Sequence, residues 1–314
     1  MVLNKIGLTG ATGMLGRHVR AALAHAGAQV IAVSRPDPLQ PGAGGWDLAQ
    51  WRSLAELDAL FAGAQAVVHA GALVQTNGAV DEALMLDTNV RACVNLGQWA
   101  VSRNIPLVHV SSASVYADPG SDQLDEDAPL AWSGLGGFYG LSKLLAEDSF
   151  KRLGQQSGHR FAIVRPSSLY GAGMSAAKMV ASFLARAHAG QAIELVPPVD
   201  DQVDFIHAAD VAQGIVALLK AQAWGTFNLA SGHTTSVRDL AAACVEVAGH
   251  GSVRIDEGAV SARSPLIRFA LHTDRARQEL GWQPQIDLRT GLRMLLQDRV
   301  HASDVAPLDR FKLS

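Results

Sequence analysis

The sequence predicts an α/β fold, in which a doubly wound parallel sheet is followed by a smaller C-terminal α/β lobe. Three observations predict it. Short apolar strands alternate with amphipathic helices through the first half of the chain. The first strand runs into a glycine-spaced turn at 9–16 and then into an alanine-rich helix. Beyond Pro166 this alternation loosens, which indicates a second, smaller unit.

The first five strands are short apolar runs, typical of strands that are buried on both faces of a parallel sheet. They are predicted at 2–8, 29–33, 66–69, 106–112 and 161–165. From the spacing of their apolar residues, helices are predicted at 17–26, 51–61, 80–102 and 140–153.

The second half mixes strands and helices less regularly. Strands are predicted at 203–207, at 226–229 and near Val253, and helices at 176–189, 208–220, 237–247 and 288–296. We expect a first domain at 1–166, with part of 203–230 contributing to its core. The rest of 167–314 is then mainly a substrate-binding lobe, with a weakly patterned tail at 300–314.

The turn after the first strand carries the first functional signal. Gly10 allows a sharp turn, Gly13 lets the backbone approach a pyrophosphate, and Gly16 lets the helix pack on the strand. The helix N-terminus then offers free N–H groups to phosphates. The spacing G-x-x-G-x-x-G is not the common G-x-G-x-x-G, which leaves a merely tight turn open. Its position favours a dinucleotide site in a Rossmann-type domain.

The composition limits the possible partners. The chain is 48% hydrophobic and 18% charged with a net charge of -3, so we expect no nucleic acid and no membrane surface as partner. Cys93 and Cys244 lie in apolar, helical surroundings, which predicts buried thiols. The first strand begins at residue 2 and leaves no room for a signal peptide, from which we expect a cytoplasmic protein.

A tyrosine and a lysine carry the second signal. Tyr139 and Lys143 are four residues apart, so a helix places them on one face. A nearby ammonium favours the phenolate and lowers the tyrosine pKa, so the pair can move a proton to or from an oxygen. Ser112, at the end of the fourth strand, could hydrogen-bond the same oxygen. A chance Y-x-x-x-K on an exposed helix is the alternative, which the order of glycine turn, strand-end serines and Tyr-Lys helix disfavours.

The sequence resembles the extended short-chain dehydrogenases/reductases, also called the NAD-dependent epimerase/dehydratase family, over about residues 3–298. The landmarks of this resemblance are 9–16, Asp47-Leu48, 67–72, Asn89-Val90, 110–116, Tyr139 with Lys143, 164–166, Tyr170-Gly171, 204–207, 210–212 and 280–284. The resemblance implies reversible hydride transfer between a nicotinamide and a carbonyl or secondary alcohol carbon. It also implies Ser112, rather than Ser111, as the catalytic serine, Tyr139 as general acid/base, and Lys143 as the group that lowers the tyrosine pKa and binds the nicotinamide ribose.

The predicted cofactor contacts combine the glycine turn with positions that the resemblance implies. They are Gly10, Thr12, Gly13, Met14, Leu15, Gly16, Ser34, Arg35, Asp47, Leu48, Ala70, Gly71, Ala72, Asn89, Tyr139, Lys143 and Pro166.

The end of the second strand bears on cofactor choice. NAD-preferring members of the family carry an acidic residue there, whereas counting 18 residues beyond Gly16 reaches Ser34, followed by Arg35. A missing carboxylate removes repulsion against a 2′-phosphate, and a guanidinium can pair with it. We therefore expect NADP in preference to NAD. The alternative is that Arg35 points to solvent and Asp37 binds the ribose.

The substrate is less constrained. Dehydrating members of the family carry an Asp-Glu pair where this chain has Ala113 and Ser114, so dehydration is not expected. Ser168 and Val203 stand where sugar-nucleotide members often carry Asn and Arg. Arg263 and Arg268 could instead clamp a phosphate or simply be solvated. The predicted substrate contacts are Leu73, Ala113, Ser114, Ser168, Arg263 and Arg268.

Three hypotheses of function follow. The preferred one is an epimerase or keto-reductase of a sugar nucleotide, and the second is a carbonyl reductase or hydroxy-dehydrogenase of a small hydrophobic ketone, of the dihydroflavonol or hydroxysteroid type. The third is a redox sensor that binds dinucleotide without turnover. No metal site is predicted, because His69, His109 and His207 lack metal-ligand spacing. The resemblance further implies a homodimer through the helices at 80–102 and 140–153.

Overall fold

The computed structural model describes residues 2–36, 45–74, 81–117, 124–132, 136–256, 258 and 267–304, with 299–304 as backbone only. The strands are β1 Lys5–Thr9, β2 Gln29–Val33, β3 Ala66–His69, β4 Leu107–Val110, β5 Phe161–Pro166, β6 Ser168–Tyr170, β7 Ala192–Leu195, β8 Gln202–His207, β9 Gly225–Leu229, β10 Thr234–Ser236, β11 Ser252–Ile255 and β12 Arg268–Phe269. The helices are α1 Met14–His25, α2 Leu54–Leu60, α3 Glu82–Leu86, α4 Ala92–Arg103, α5 Gly137–Ser157, α6 Met179–His188, α7 Ala208–Ala221, α8 Val237–Ala248, α9 Asp274–Leu280 and α10 Leu288–Asp304.

A six-stranded parallel sheet in the order β2-β1-β3-β4-β5-β9 occupies the centre of the molecule. The chain moves outward from β1 to β2 and then returns past β1 to β3. The carboxyl ends of β1 and β3 are therefore the switch point at which an open α/β sheet binds its ligand. The predicted doubly wound parallel sheet is confirmed, and so are its first five strands within a few residues.

Helices cover both faces of this sheet. On one face α1 and α7 pack through Val19, Leu23, Ile215 and Leu219, all of which are fully buried. On the other face lie α2, α4 and α5, around a cluster that includes Leu96, Trp99 and Phe150. Leu96 and Trp99 are therefore core residues, and a homodimer through these helices stays a prediction.

The second lobe is built on β8, which pairs with β6, β10 and β12, while β7 and β11 form a separate parallel pair. Leu184 on α6, Leu240 on α8 and Leu292 on α10 share its core. Three hydrogen bonds join the segment at 282–286 to Asp210 of α7. Asp210 accepts hydrogen bonds from the backbone N–H groups of Gln285 (3.1 Å) and Ile286 (3.0 Å), and the Trp282 indole donates to the Asp210 carbonyl oxygen (3.0 Å).

Several predicted boundaries differ from the structure. The single helix predicted at 80–102 consists of α3, a π-helical turn at Asp87–Arg91 and α4, while 75–80 lies outside the described residues. The strands β6, β10 and β12 were missed because two or three residues are too short for a periodic signal, and the four-residue strand β7 was missed as well. Among the described residues, no helix has the length and apolar character needed to cross a membrane.

Candidate active site

The glycine turn brings three backbone segments into contact at the end of β1. Gly10 has φ +67°, and a Cβ there would lie 2.6 Å from the backbone of Gly71, in the loop after β3. A Cβ at Gly16 would overlap the Gly10 carbonyl oxygen. Gly13 is the N-cap of α1, and no side chain caps the helix. The first N–H groups of α1 are thus left to face a ligand.

A groove of about 350 Å³ opens over this turn. Nine predicted cofactor residues line it: Gly10, Thr12, Gly13, Ser34, Arg35, Asp47, Leu48, Gly71 and Ala72. Thr9, Val33, Trp46 and Thr88 line it as well and were not predicted. Each of these four directly precedes a predicted residue in the chain, and that proximity could have identified them.

Other predicted cofactor residues lie away from this groove. Leu15 and Gly16 are buried behind it, while Met14 and Pro166 line the neighbouring cavity described below. Asn89 is buried, and its carboxamide bonds both the N–H and the carbonyl of Leu73 (2.7 and 2.9 Å) and the Ser142 hydroxyl (3.0 Å). Asn89 thus fixes the loop after β3 against α5, and its contact with a cofactor stays a prediction, as does that of Ala70.

The β2 end of the groove carries the charges that bear on cofactor choice. Arg35 is exposed and lines the groove, and Asp47 is half-buried on the same wall. The Trp46 backbone N–H donates to the Ser34 carbonyl (3.0 Å), which places Asp47 beside the β2 end. Asp37, the alternative ribose ligand, lies outside the described residues.

The predicted catalytic serine and tyrosine meet where β4 and α5 approach each other. Ser112 accepts hydrogen bonds from the N–H (3.1 Å) and the hydroxyl (2.8 Å) of Ser114 and also hydrogen-bonds Tyr139. Two glycines at the start of α5 permit this approach. A Cβ on Gly136 or Gly140 would lie 2.5 Å from an atom of Ser114.

The pKa of Tyr139 differs from the sequence prediction. We expected Lys143 to lower it, but burial raises the pKa of Tyr139 to about 12, and it is the hydrogen bond with Ser112 that acts in the opposite direction. Desolvation therefore outweighs the favourable interactions of the phenolate. Tyr139 stays a neutral phenol at pH 7, the form that can donate a proton.

Lys143 lies one turn further along α5 and is buried. Burial lowers its pKa, while Cys93 and Glu147 act to raise it. Glu147 in turn accepts the Ser111 hydroxyl and two hydrogen bonds from the Arg165 guanidinium (3.0 and 2.7 Å). Against the effect of burial, Arg165 and Ser111 hold the Glu147 pKa below its usual value. The Glu147 carboxylate thus connects the segment after β4, which contains Ser112, to α5, which carries Tyr139.

A second cavity of about 500 Å³ is lined by Ser112 and Tyr139 together. Its remaining wall comes mainly from the second lobe and is mostly apolar. That wall includes Met174, Lys178, Met179, Val180, Val203, Phe205, Ile267 and Phe269. This cavity, which suits a second molecule, adjoins the groove along the chain, because Gly13 and Ala72 line the groove whereas Met14 and Val74 line the cavity.

Residues 6–230 match the family described as the NAD dependent epimerase/dehydratase family. The chain belongs to this family. The extended short-chain dehydrogenase/reductase resemblance inferred from the sequence motifs is thereby confirmed.

Relatives that match this chain over nearly its full length include reductases. The chain is 28% identical over 303 residues to a GDP-6-deoxy-D-mannose reductase of Pseudomonas aeruginosa, covering 93% of this chain and 95% of the relative. It is also 28% identical over 309 residues to a dTDP-4-dehydro-6-deoxy-D-allose reductase of Streptomyces bikiniensis, covering 91% of this chain and 93% of that one.

Solved structures of the same fold include MoeE5 in complex with UDP-glucuronic acid and NAD. It has a TM-score of 0.81 and 22% identity, and covers 95% of this chain and all of that one. A UDP-glucose 4-epimerase of Thermus thermophilus in complex with NAD has a TM-score of 0.80 at 21% identity, over 95% and 99% of the two chains. At these identities the likeness shows the fold, and the fold class is confirmed.

The structure brings only some of the predicted substrate residues together. Ala113, Ser114 and Ser168 line the second cavity. Arg268 is exposed on β12 between two lining residues, whereas Leu73 is held by Asn89. Arg263 lies outside the described residues. The apolar lining residues of α6 and β12 were missed because nothing local to their sequence marks them as facing β4.

Proposed function

We propose that the protein is an NADP(H)-dependent keto-reductase that acts on a dehydro-6-deoxy sugar nucleotide. The presence of Ser112 and Tyr139 together in the wall of the second cavity, which adjoins the dinucleotide groove at Met14 and Val74, carries this proposal. Nicotinamide bound at the inner end of the groove would supply hydride to a carbonyl carbon. Tyr139 would donate a proton to the carbonyl oxygen while Ser112 orients that oxygen.

Two observations support reduction of this substrate class. Relatives that match more than 90% of the chain are named as reductases of 6-deoxy sugar nucleotides. Met174, Met179 and Phe205 offer an apolar wall that suits the C6 methyl group of a 6-deoxy sugar.

The NADP(H) preference rests on Ser34 and Arg35, which line the groove at the β2 end. The test is a fluorescence titration with NADPH and NADH of wild type, Arg35→Ala and the control Arg20→Ala, which removes an exposed arginine of α1 outside the groove. We expect Arg35→Ala to weaken NADPH binding by about tenfold and Arg20→Ala to leave it unchanged. Tighter binding of NADH by wild type would contradict the preference.

The substrate class is tested by turnover. Purified enzyme with NADPH should reduce a GDP- or dTDP-linked dehydro-6-deoxy hexose, and GDP or dTDP alone should raise the thermal unfolding midpoint. Tyr139→Phe should reduce kcat by roughly 10²–10⁴-fold while cofactor binding persists. Wild type that binds cofactor and turns over none of a broad carbonyl panel would instead support a non-catalytic redox sensor.

The apolar lining also favours a second candidate, a reductase of a small hydrophobic ketone. Val203 stands in the cavity where an arginine would serve a diphosphate. Turnover of hydrophobic ketones, with no thermal shift from GDP, dTDP or UDP, would select this candidate over the sugar nucleotide.

A further inference from the structure

Two histidines and a cysteine meet beneath the dinucleotide groove. His69 and His109 are paired residues of the neighbouring strands β3 and β4, so both side chains leave the same face of the sheet. Cys93 on α4 packs against that face, and all three residues are fully buried. One ligand atom from each lies within 4.8 Å of the other two. The strand register thus brings together residues whose spacing along the chain did not predict a metal site.

The hydrogen bonding of the cluster is incomplete. The Nε2 atoms of His69 and His109 are both buried without a hydrogen-bond partner. His69 Nδ1 contacts the Thr9 hydroxyl at 2.7 Å, and His109 Nδ1 lies 3.9 Å from the Cys93 sulfur. Unsatisfied buried polar atoms are unusual in a native core and call for an explanation.

Each ring has a buried Nε2 atom without a hydrogen-bond partner, which leaves a nitrogen free to bind a cation. Burial, which lowers the pKa of both histidines, agrees with neutral rings. A thiolate with two neutral imidazoles is a donor set for the soft or borderline metals copper and zinc.

Charge separates these two metals. Burial raises the pKa of the Cys93 thiol to about 12, while the Lys143 ammonium acts to lower the pKa of Cys93 and of both histidines. Zn²⁺ with one thiolate would leave a net positive charge buried beside that ammonium, which is strongly unfavourable. Cu⁺ with one thiolate is neutral, and Cu⁺ is stable with three ligands, whereas Zn²⁺ usually requires a fourth.

We propose that His69, Cys93 and His109 form a three-coordinate binding site for Cu⁺. Binding converts the thiol and Cu⁺ into a copper–thiolate bond and one proton that is released to solvent, with no change of oxidation state. With metal–ligand bonds of about 2.0–2.3 Å, the donor atoms must come to within about 4 Å of one another. Because the His69 and His109 rings are stacked with centroids 5.5 Å apart, the cluster must close by about 1 Å and one ring must turn to direct both lone pairs at the ion.

The entry path runs through the groove. Thr9 lines the groove and also contacts His69, so a single residue separates the cluster from the groove surface. A bound dinucleotide should therefore slow copper entry. The expected slowing of copper entry rests on the proposed cofactor, whereas binding of copper to the protein alone does not.

The test is competition for Cu⁺ between the reduced, full-length protein and a chromogenic Cu⁺ chelator, without oxygen. We expect one Cu⁺ per wild-type chain, with affinity at least 100-fold weaker in Cys93→Ser. Cys244→Ser removes the other buried thiol, which lies in the second lobe, and should bind as wild type does. X-ray absorption of the wild-type complex should report one sulfur and two nitrogen ligands.

Two further arms keep the test decisive. His109→Phe, which replaces a ring packed 5.0 Å from the Phe150 ring with another ring, should fold and should lose the copper. NADPH should slow uptake. Absence of copper retention by wild type, equal retention by Cys93→Ser, or Zn²⁺ binding as tight as Cu⁺ binding would each overturn the proposal. A failure of NADPH alone to slow uptake would count against the groove as the entry path and against the proposed cofactor, and would leave the copper site standing.

Discussion

At the scale of single residues, two glycines at the start of α5 determine how closely Tyr139 can approach Ser112. Gly140 lies against the Ser114 carbonyl, which belongs to the short 3₁₀ turn that follows Ser112. A Cβ on Gly140 would lie 2.5 Å from that oxygen, and the oxygen is part of the backbone and cannot rotate away. The helix or the turn would have to move instead.

We predict that Gly140→Ala lowers both stability and activity. Alanine gains about 1 kcal/mol over glycine in a helix interior, but the overlap costs about 1–3 kcal/mol. The displaced Tyr139 should reduce kcat on the order of 10- to 100-fold. The measurements are thermal unfolding and turnover. The control is Ser149→Ala, at a half-buried position nearer the C-terminal end of the same helix. A more stable Gly140→Ala variant with unchanged kcat would show that the close contact does not matter.

His207 offers a prediction about pH. Burial lowers its pKa to about 4, with His18 acting in the same direction and Asp298 against it. The unfolded chain takes up this proton near its ordinary pKa of about 6.5. The stability contributed by neutral His207 is therefore complete above that pH and is lost as the pH falls toward 4.

The matched variant is His207→Asn, because His207 caps α7 by accepting the Ala209 N–H (3.2 Å) and asparagine is also a good N-cap. We expect wild type to lose up to roughly 3 kcal/mol more unfolding free energy than His207→Asn between about pH 7 and pH 4. Denaturant titrations at several pH values measure this difference. Parallel pH profiles of the two proteins would contradict the assignment.

At the scale of elements, a buried ion pair holds α5 against β4 and β5. Arg165 and Glu147 are both about 1% exposed or less, and Arg165 also donates to the Tyr116 hydroxyl (3.0 Å) and the Glu126 carbonyl (3.0 Å). Glu126 in turn accepts the Asn228 N–H (2.7 Å). The loop at 124–132 is thus bonded to the sheet beside the active site.

We predict that Glu147→Gln destabilises the protein by about 3–5 kcal/mol, because it leaves the Arg165 charge buried without its partner. Adding Arg165→Met should recover part of the loss, since it removes that charge. Glu279→Gln, which breaks an exposed pair with Arg275, should change stability little. The measurement is chemical unfolding of all four proteins. Equal losses in Glu147→Gln and Glu279→Gln would refute the role of the buried pair.

At the scale of the whole molecule, the groove and the second cavity adjoin where Gly13 of the groove is followed by Met14 of the cavity, and where Ala72 is followed two residues later by Val74. The groove is built on the first sheet, whereas the cavity wall also includes residues of β6, β8, β12 and α6 from the second lobe. A cofactor and a substrate bound together would therefore connect the sheet to the second lobe.

We predict that NADPH raises the unfolding free energy by about 2.7 kcal/mol at 100 times its Kd. Differential scanning calorimetry at fixed protein concentration measures it, and Arg35→Ala should require about tenfold more NADPH for the same shift. Equal shifts from NADH and NADPH in wild type would remove the basis for the preference.

The sequence by itself determined the features that depend on neighbours along the chain. Alternating apolar strands and helices specify the parallel sheet, and the glycines at 10, 13 and 16 specify the turn, because each needs only local geometry. Tyr139 and Lys143 were predicted together for the same reason, since a helix places residues four apart on one face.

Only the tertiary structure decided the features that depend on strand register and packing. The pairing of β3 with β4 places His69 beside His109, although forty residues separate them in the chain. The packing of α6 and β12 makes the second cavity apolar, and the burial of Tyr139 reverses the predicted direction of its pKa shift. Desolvation and long-range contact arise only when distant segments pack together, and a sequence pattern does not contain them.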